Sequence, residues 1–299
     1  MLVVLTGPTA SGKTAAALAL ADDFPVEVIS ADSRQVYRGM DVGTAKPTAP
    51  ERARVPHHLI DIIDPPEAYS AHRFVRDAHR ALDDIRGRGR VPVVVGGTGF
   101  YIKALVEASL LADVPPDAEL RHDLDALQAR EGVDGLAARL ERLDPARAAT
   151  IDRANPRRLV RAIEVAERGG SADDSRPAPS SAIFGIDVPV DVLATRIERR
   201  VHAMYAGGLI EETRALLERG VPPDAPALTG VGYREAATVL DGSLTLDDAR
   251  QRTASRTRQY ARRQRTWFRH QLPVHWRTPE TIVEALAAQL RGMNQAGQS

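Results

Sequence analysis

Gly7-Pro8-Thr9-Ala10-Ser11-Gly12-Lys13-Thr14 follows the apolar run Leu2-Val3-Val4-Leu5 and leads into a helical stretch, Ala15 to Ala21. Its spacing, G-x-x-x-x-G-K-[ST] between a strand and a helix, is that of a phosphate loop. The glycines let the backbone wrap an anion with its N–H groups, Lys13 supplies a point charge for the terminal phosphates, and the Thr14 hydroxyl is placed to hold Mg²⁺. The anion would sit at a helix N-terminus, where unpaired N–H groups and the dipole favour negative charge. The stretch therefore predicts a P-loop-type α/β fold, a parallel sheet flanked by helices, with residues 7–14 on a polyphosphate. It does not say which polyphosphate.

Working outward, Val26-Glu27-Val28-Ile29-Ser30 reads as a second strand that delivers Asp32, Ser33, Arg34 and Gln35 at its C-terminal end, where ligands sit in open α/β sheets. Asp32 is placed to bind a cation or take a proton, with a helix N-cap as the structural alternative. Residues 38–47 form a glycine-punctuated loop with little to bury, a length that goes with function or mobility. Adjacent His57 and His58 point to opposite sides of an extended chain, so structural or substrate-edge roles are expected rather than a shared metal. From Ser70 to Gly87 helical spacing holds, and Val91 to Val95 is a buried strand ending in Gly96-Gly97-Thr98. The aspartate that an ATPase would carry on this strand is missing.

From about Leu111 to Ser181 the texture changes to helix after helix, so the expected organisation is an α/β core of residues 1–111 and 182–299 with an all-α insertion at 112–181. Leu120, Leu124 and Leu127 form one stripe; Leu136, Leu140 and Leu143 a second; Leu159, Val160, Ile163 and Ala166 a third. Asp144-Pro145 and Asn155-Pro156 read as N-caps followed by proline at the first helical position. Residues 171–181, rich in Ser, Pro and Asp, read as the insertion's flexible exit. Arg157, Arg158 and Arg161 cluster at the start of its third helix, as a solvated face or as a grip on substrate. The sheet resumes at Ala182, and Asp191 is expected to cap the helix that carries Arg196 and Arg200 four apart, spacing suited to a bound phosphate or to surface pairs with Glu198, Glu211 or Glu212. Leu228-Thr229-Gly230-Val231-Gly232-Tyr233-Arg234 is a second glycine loop. The stretch Ala249 to His270 has no acid, and Arg258, Arg262, Arg265 and Arg269 follow helical spacing along one side. Such a stripe is the footprint of a nucleic-acid backbone.

The 299 residues, 43% of them hydrophobic, are enough for a large domain plus a smaller one. No apolar run approaches the roughly 18 residues of a membrane span, and no signal peptide is apparent, so a cytoplasmic protein without membrane contact is expected. The absence of cysteine excludes disulfides, a thiolate nucleophile and cysteine-ligated zinc. A formal net charge of zero means that any polyanion partner must be met by a local patch.

The phosphate loop, Ser30-Ala31-Asp32-Ser33 with Tyr37, Gly43-Thr44-Ala45-Lys46-Pro47, Pro56-His57-His58, Gly96-Gly97-Thr98, Gly232-Tyr233-Arg234 and Arg256-Thr257-Arg258-Gln259 through Trp267 together resemble the tRNA dimethylallyltransferases. The likeness covers almost the whole chain, in the compact bacterial form without the cysteine-containing zinc finger. It implies that the polyphosphate is the diphosphate of dimethylallyl diphosphate, bound by residues 7–14 with Arg196 and Arg200, and that the acceptor is N6 of adenine 37 in tRNAs reading codons that begin with U. It implies catalytic roles for Asp32 as proton acceptor, Lys13, Thr14 with Mg²⁺, Arg200 and Thr98. The tRNA anticodon stem-loop would meet Asp32, Ser33, Arg34 and Gln35, Thr98, Arg121, Arg157, Arg158 and Arg161, Gly232, Tyr233 and Arg234, and Arg262, Arg265 and Arg269. A monomer is expected. The competing readings are a small-molecule or nucleotide kinase, which leaves the arginine helix unexplained, and a prenyltransferase of free adenine nucleotides, which would not need the insertion.

Overall fold

In the computed structural model, residues 1–107, 114, 117–168 and 178–296 are described. The chain forms two compact units, Met1–Val106 with Ala178–Ser299, and Glu107–Pro177.

The larger unit is built on a six-stranded, all-parallel sheet in the order β3-β2-β4-β1-β5-β6. The strands are β1 (Leu2–Thr6), β2 (Val26–Ala31), β3 (His57–His58), β4 (Val91–Gly96), β5 (Ser181–Ile186) and β6 (Val274–Arg277). β1 and β2 are buried along their whole length, as continuous apolar runs in the middle of a parallel sheet must be when helices cover both faces. Residue 181, assigned from the sequence to the insertion, pairs with Leu2 and opens β5 instead. Residues 178–180 lead into β5 without regular structure, and residues 171–177 of the expected exit lie outside the described residues.

Around the sheet lie α1 (Lys13–Leu20), α2 (Ala49–Arg54), α3 (Ala71–Gly87) and α4 (Gly99–Val106), and later in the chain α8 (Val190–Ala206), α9 (Leu209–Glu218), α10 (Tyr233–Leu240), α11 (Leu246–Gln271) and α12 (Ile282–Ala296). Their apolar faces join the sheet in one core that includes Val3, Leu5, Val28, Val93, Ile197, Leu209, Tyr233 and Leu286. Pro189, not Asp191, is the N-cap of α8, and Asp191 falls in the first turn, where its charge still complements the helix dipole.

The smaller unit holds α5 (Ala118–Leu143), α6 (Pro145–Thr150) and α7 (Pro156–Glu167). Gly132, at φ 68°, breaks α5, so its two leucine stripes belong to separate helical segments. Leu124, Leu136, Leu140, Leu159 and Ile163 meet in a core of their own, while Leu143 stays 41% exposed. Asp144 and Asn155 cap α6 and α7 as expected, each accepting a backbone N–H three residues on.

Candidate active site

Three strands end on one side of the sheet and supply the site. β1 runs into the phosphate loop, whose Gly12 takes φ 101° just before α1, a conformation that a side chain would strain. β2 ends at Ala31, just before Asp32, whose Oδ1 accepts N–H groups from Arg34 at 2.8 Å and Gln35 at 3.3 Å. Asp32 thus caps a turn rather than a helix. β4 ends at Gly96, and Thr98 accepts the Ser33 N–H at 3.0 Å, which fixes the Asp32 turn to the start of α4.

α11 closes the site from above. Its buried Gln264 accepts the Thr9 N–H at 2.8 Å and donates to the Gly97 carbonyl at 2.9 Å, so one amide joins the phosphate loop to the β4 turn. A Cβ at Gly97 would fall 2.4 Å from Gln264 Nε2, and one at Gly99 2.2 Å from the Trp267 ring. Those glycines let α11 approach; their value is in packing, not in holding phosphate.

The resulting cleft, about 900 Å³, is lined by residues 9–15, Asp32 to Gln35, Gly43 to Pro47, Gly97, Arg196 and Arg200, with Gly230, Val231 and Tyr233 at one edge and Tyr260, Arg263 and Gln264 on α11. Its electrostatics are cationic. Lys13 Nζ donates to the carbonyls of Gly7 and Pro8 at 2.9 and 2.8 Å. Burial and the neighbouring Arg200 lower its pKa to about 7, with Asp32 pulling the other way. Arg200 donates to Thr9 Oγ1 at 3.2 Å and the Thr44 carbonyl at 3.5 Å, and Arg196 to the Ser11 carbonyl at 3.3 Å. Burial lowers the pKa of Arg200 too. The surface pairs with Glu198, Glu211 or Glu212 do not form: Glu198 pairs with Arg258 at 3.0 Å, and Glu212 is occupied elsewhere. Ser11 Oγ is buried without a partner inside the loop, and the Thr14 hydroxyl accepts and donates nothing among the described residues. Unpaired cations and idle hydroxyls at a helix N-terminus suit an anion carrying a hard cation.

Several sequence-predicted residues take other roles. The 38–47 loop is tied down: buried Lys46 donates to the Tyr37 carbonyl at 2.6 Å and to Asp41 at 2.7 Å, and also pairs with Asp61. His57 Nδ1 lies 2.7 Å from the Val55 carbonyl, and His58 Nε2 lies 2.7 Å from buried Glu27; among the described residues no group of three or more His, Cys, Asp and Glu side chains could hold a metal. Tyr233 is 1% exposed and donates to Glu212 at 2.6 Å, so it builds the glycine loop from inside. Gly232 beside it is buried, its N–H on Glu235, while Arg234 is exposed. Arg34 reaches the carbonyls of Pro226 and Ala227 and the Thr229 hydroxyl.

On α11 the expected arginine ladder is largely neutralised. Besides Arg258, Arg265 and Arg269 both pair with Asp187, at 3.0 and 3.2 Å, whereas exposed Arg262 has no ion pair among the described residues. Sequence reading missed Tyr260 and Arg263 on the cleft side, where the Arg263 guanidinium stands 6.0 Å from the Tyr260 ring centre. In the smaller unit Arg121 and Arg161 converge on fully buried Glu164, Arg121 at 2.7 Å and Arg161 at 3.2 Å. Arg158 stands 3.9 Å from Asp152, and Arg157 is exposed.

Two family profiles match the chain: one described as IPP transferase over residues 35–271, and one described as isopentenyl transferase over residues 1–58. A tRNA dimethylallyltransferase of Thermomicrobium roseum is 48% identical over 280 residues, 92% of this chain and 85% of the relative. One of Anaeromyxobacter dehalogenans is 47% identical over 294 residues, 96% and 97% of the two chains. Among solved structures, a tRNA isopentenylpyrophosphate transferase from Bacillus halodurans is 40% identical with a TM-score of 0.72, covering 97% of this chain and 95% of its own. A eukaryotic dimethylallyltransferase acting on tRNA is 27% identical with a TM-score of 0.78, covering 97% and 77%. A phosphate loop without the ATPase aspartate, an aspartate facing it and matches along nearly the full length converge on one assignment: the chain belongs to the IPP transferase family, the tRNA dimethylallyltransferases.

Proposed function

We propose that the protein transfers the dimethylallyl group of dimethylallyl diphosphate to N6 of adenine 37, in the anticodon loop of tRNAs reading codons that begin with U, and releases diphosphate. The observation that carries the reading is one cleft holding a carboxylate, Asp32, and two desolvated cations, Lys13 and Arg200, that have no carboxylate ion-pair partner among the described residues.

In this reading the diphosphate lies on the phosphate loop against Lys13, Arg196 and Arg200. The adenine amine attacks the allylic carbon, the carbon–oxygen bond breaks, and Asp32 takes the N6 proton. Charge grows on the departing diphosphate as the bond lengthens, and cations already fixed by the Gly7, Pro8, Ser11 and Thr44 carbonyls stabilise it without reorganising. The Thr14 hydroxyl would hold Mg²⁺, which would add to that neutralisation. Thr98 keeps the Asp32 turn in place. A stacked base cannot enter such a cleft, so adenine 37 would be turned out of the loop, with Gln35 and exposed Arg234 on the core and exposed Arg157 and Arg158 on the smaller unit meeting the RNA. One chain holds all these groups, in keeping with a monomer acting in the cytoplasm, where its tRNA is.

The test is incubation with labelled dimethylallyl diphosphate, ATP and either bulk tRNA or AMP. Label should enter tRNA alone and ATP should not be consumed; label entering only AMP, or steady ATP hydrolysis, would overturn the reading.

A further inference from the structure

Both oxygens of the Glu212 carboxylate are saturated by donors from elsewhere in the fold. Oε2 accepts the Asp41 and Val42 N–H groups, each at 2.8 Å; Oε1 accepts the Gly43 N–H at 3.1 Å and the Tyr233 hydroxyl at 2.6 Å. Three successive N–H groups make a concave anion-binding nest, and here a side chain of the protein fills it. Glu212 sits in the first turn of α9, which fixes it, and it lies outside the cleft lining. The Tyr233 ring packs on the same peptide: a Cβ at Gly43 would fall 2.5 Å from it.

The residue after the nest is Thr44, and its carbonyl faces the cleft. It accepts from Arg200 Nη2 at 3.5 Å and from Gln35 Nε2 at 3.4 Å. Those bonds anchor one arm of Arg200 and the residue three places after Asp32. A carboxylate that grips the back of the loop therefore sets the position of the guanidinium at its front.

Building on the diphosphate reading, we propose that Glu212 is a positioning residue of the diphosphate site, acting through the 41–44 loop on Arg200. Without the carboxylate, three N–H groups lose their acceptor, the loop relaxes, and the Thr44 carbonyl no longer holds Arg200. The Glu212→Gln variant keeps the shape but turns an amide donor toward N–H groups. Its penalty falls on diphosphate binding and spares tRNA binding.

The test uses the full-length protein, inorganic diphosphate with Mg²⁺, and calorimetry at a temperature where circular dichroism shows each variant folded. Glu212→Gln should raise the diphosphate Kd roughly tenfold or more, the loss expected when a half-buried charge-assisted network loses its carboxylate, with tRNA Kd within about twofold. In Glu212→Ala, millimolar formate should refill the nest and lower the diphosphate Kd, while in the wild type formate can only compete and raise it. Tyr233→Phe keeps the ring over Gly43 and removes one donor; its Kd should rise less, in the same direction. Wild-type protein that fails to bind diphosphate would overturn the functional reading itself. Wild-type binding matched by Glu212→Gln, or a formate effect of the same sign in both proteins, would overturn this inference alone.

Discussion

Two arginines of the cleft and five elsewhere in the chain have opposite company. Arg196 and Arg200 donate to backbone carbonyls and a hydroxyl, whereas Arg258, Arg265 and Arg269 on α11 and Arg121 and Arg161 in the smaller unit each end on a carboxylate. Holding a cation half out of water without an acid is costly unless something else supplies the negative charge. On the proposed reading the cleft keeps its positive charge for a ligand, while the paired arginines mainly hold helices together. Density of arginine in the sequence does not distinguish the two; the nearest carboxylate does.

The largest effect should come from the cleft's own acid. Asp32→Asn keeps size and polarity and the cap on the Arg34 N–H, but removes the proton acceptor. The single-turnover alkylation rate should fall by about 10²–10⁴-fold with tRNA binding nearly unchanged. Full activity would make Asp32 a turn cap and nothing more.

Arg200→Gln separates the two kinds of arginine. Loss of a preorganised donor to the departing diphosphate should slow alkylation by roughly 10²–10³-fold, while the melting temperature stays level or rises because a desolvated cation without a direct carboxylate ion pair is gone. A marked fall in melting temperature at full activity would place Arg200 with the structural set.

Lys13 gives a pH signature. With burial and Arg200 holding its pKa at about 7 in the free protein, and a bound diphosphate favouring the ammonium, the bound-state pKa must be higher. Diphosphate affinity should then be full below about pH 7 and weaken by up to about tenfold per unit above it, with proton uptake on binding at pH 8. Calorimetry in two buffers of different ionisation enthalpy reads the uptake, and Lys13→Met, measured alongside, shows the ligand's own titration. Equal uptake by both proteins would contradict the assignment.

The smallest effect divides α11 itself. Arg262→Gln should lower the salt slope of log K for tRNA by about 0.9 for each phosphate that the side chain no longer neutralises, in duplex-like regions, and leave the melting temperature unchanged. Arg265→Gln should do the reverse, because it frees Asp187 of one partner. A salt slope lowered equally by both would restore the uniform arginine ladder that the spacing suggests.

The parts of this site that were legible in the sequence are local. The phosphate loop, Asp32 at the end of a strand and the Arg196–Arg200 spacing each depend on neighbours within a few residues, and the structure brings them into one cleft. What escaped depends on partners far along the chain. Gln264 lies 255 residues from Thr9, and Glu212 reads as a surface acid because its four donors come from the 41–43 loop and the start of α10. Tyr260 and Arg263 were hidden among arginines of the same helix, on the side away from the periodic stripe. Strand β6, four residues with alternating burial just after Pro273, was too short to read as a sheet edge, and the break at Gly132 was masked by helical spacing on both sides.

The most direct test of the account is nucleoside mass analysis of an unmodified tRNA reading a codon that begins with U, after incubation with the protein, Mg²⁺ and dimethylallyl diphosphate, with released diphosphate counted in the same reaction. The account predicts one dimethylallyl group on the adenosine at position 37, one diphosphate released for each, and no gain when the diphosphate ester is replaced by ATP. Modification at another position, or diphosphate released without any gain in the RNA, would contradict it.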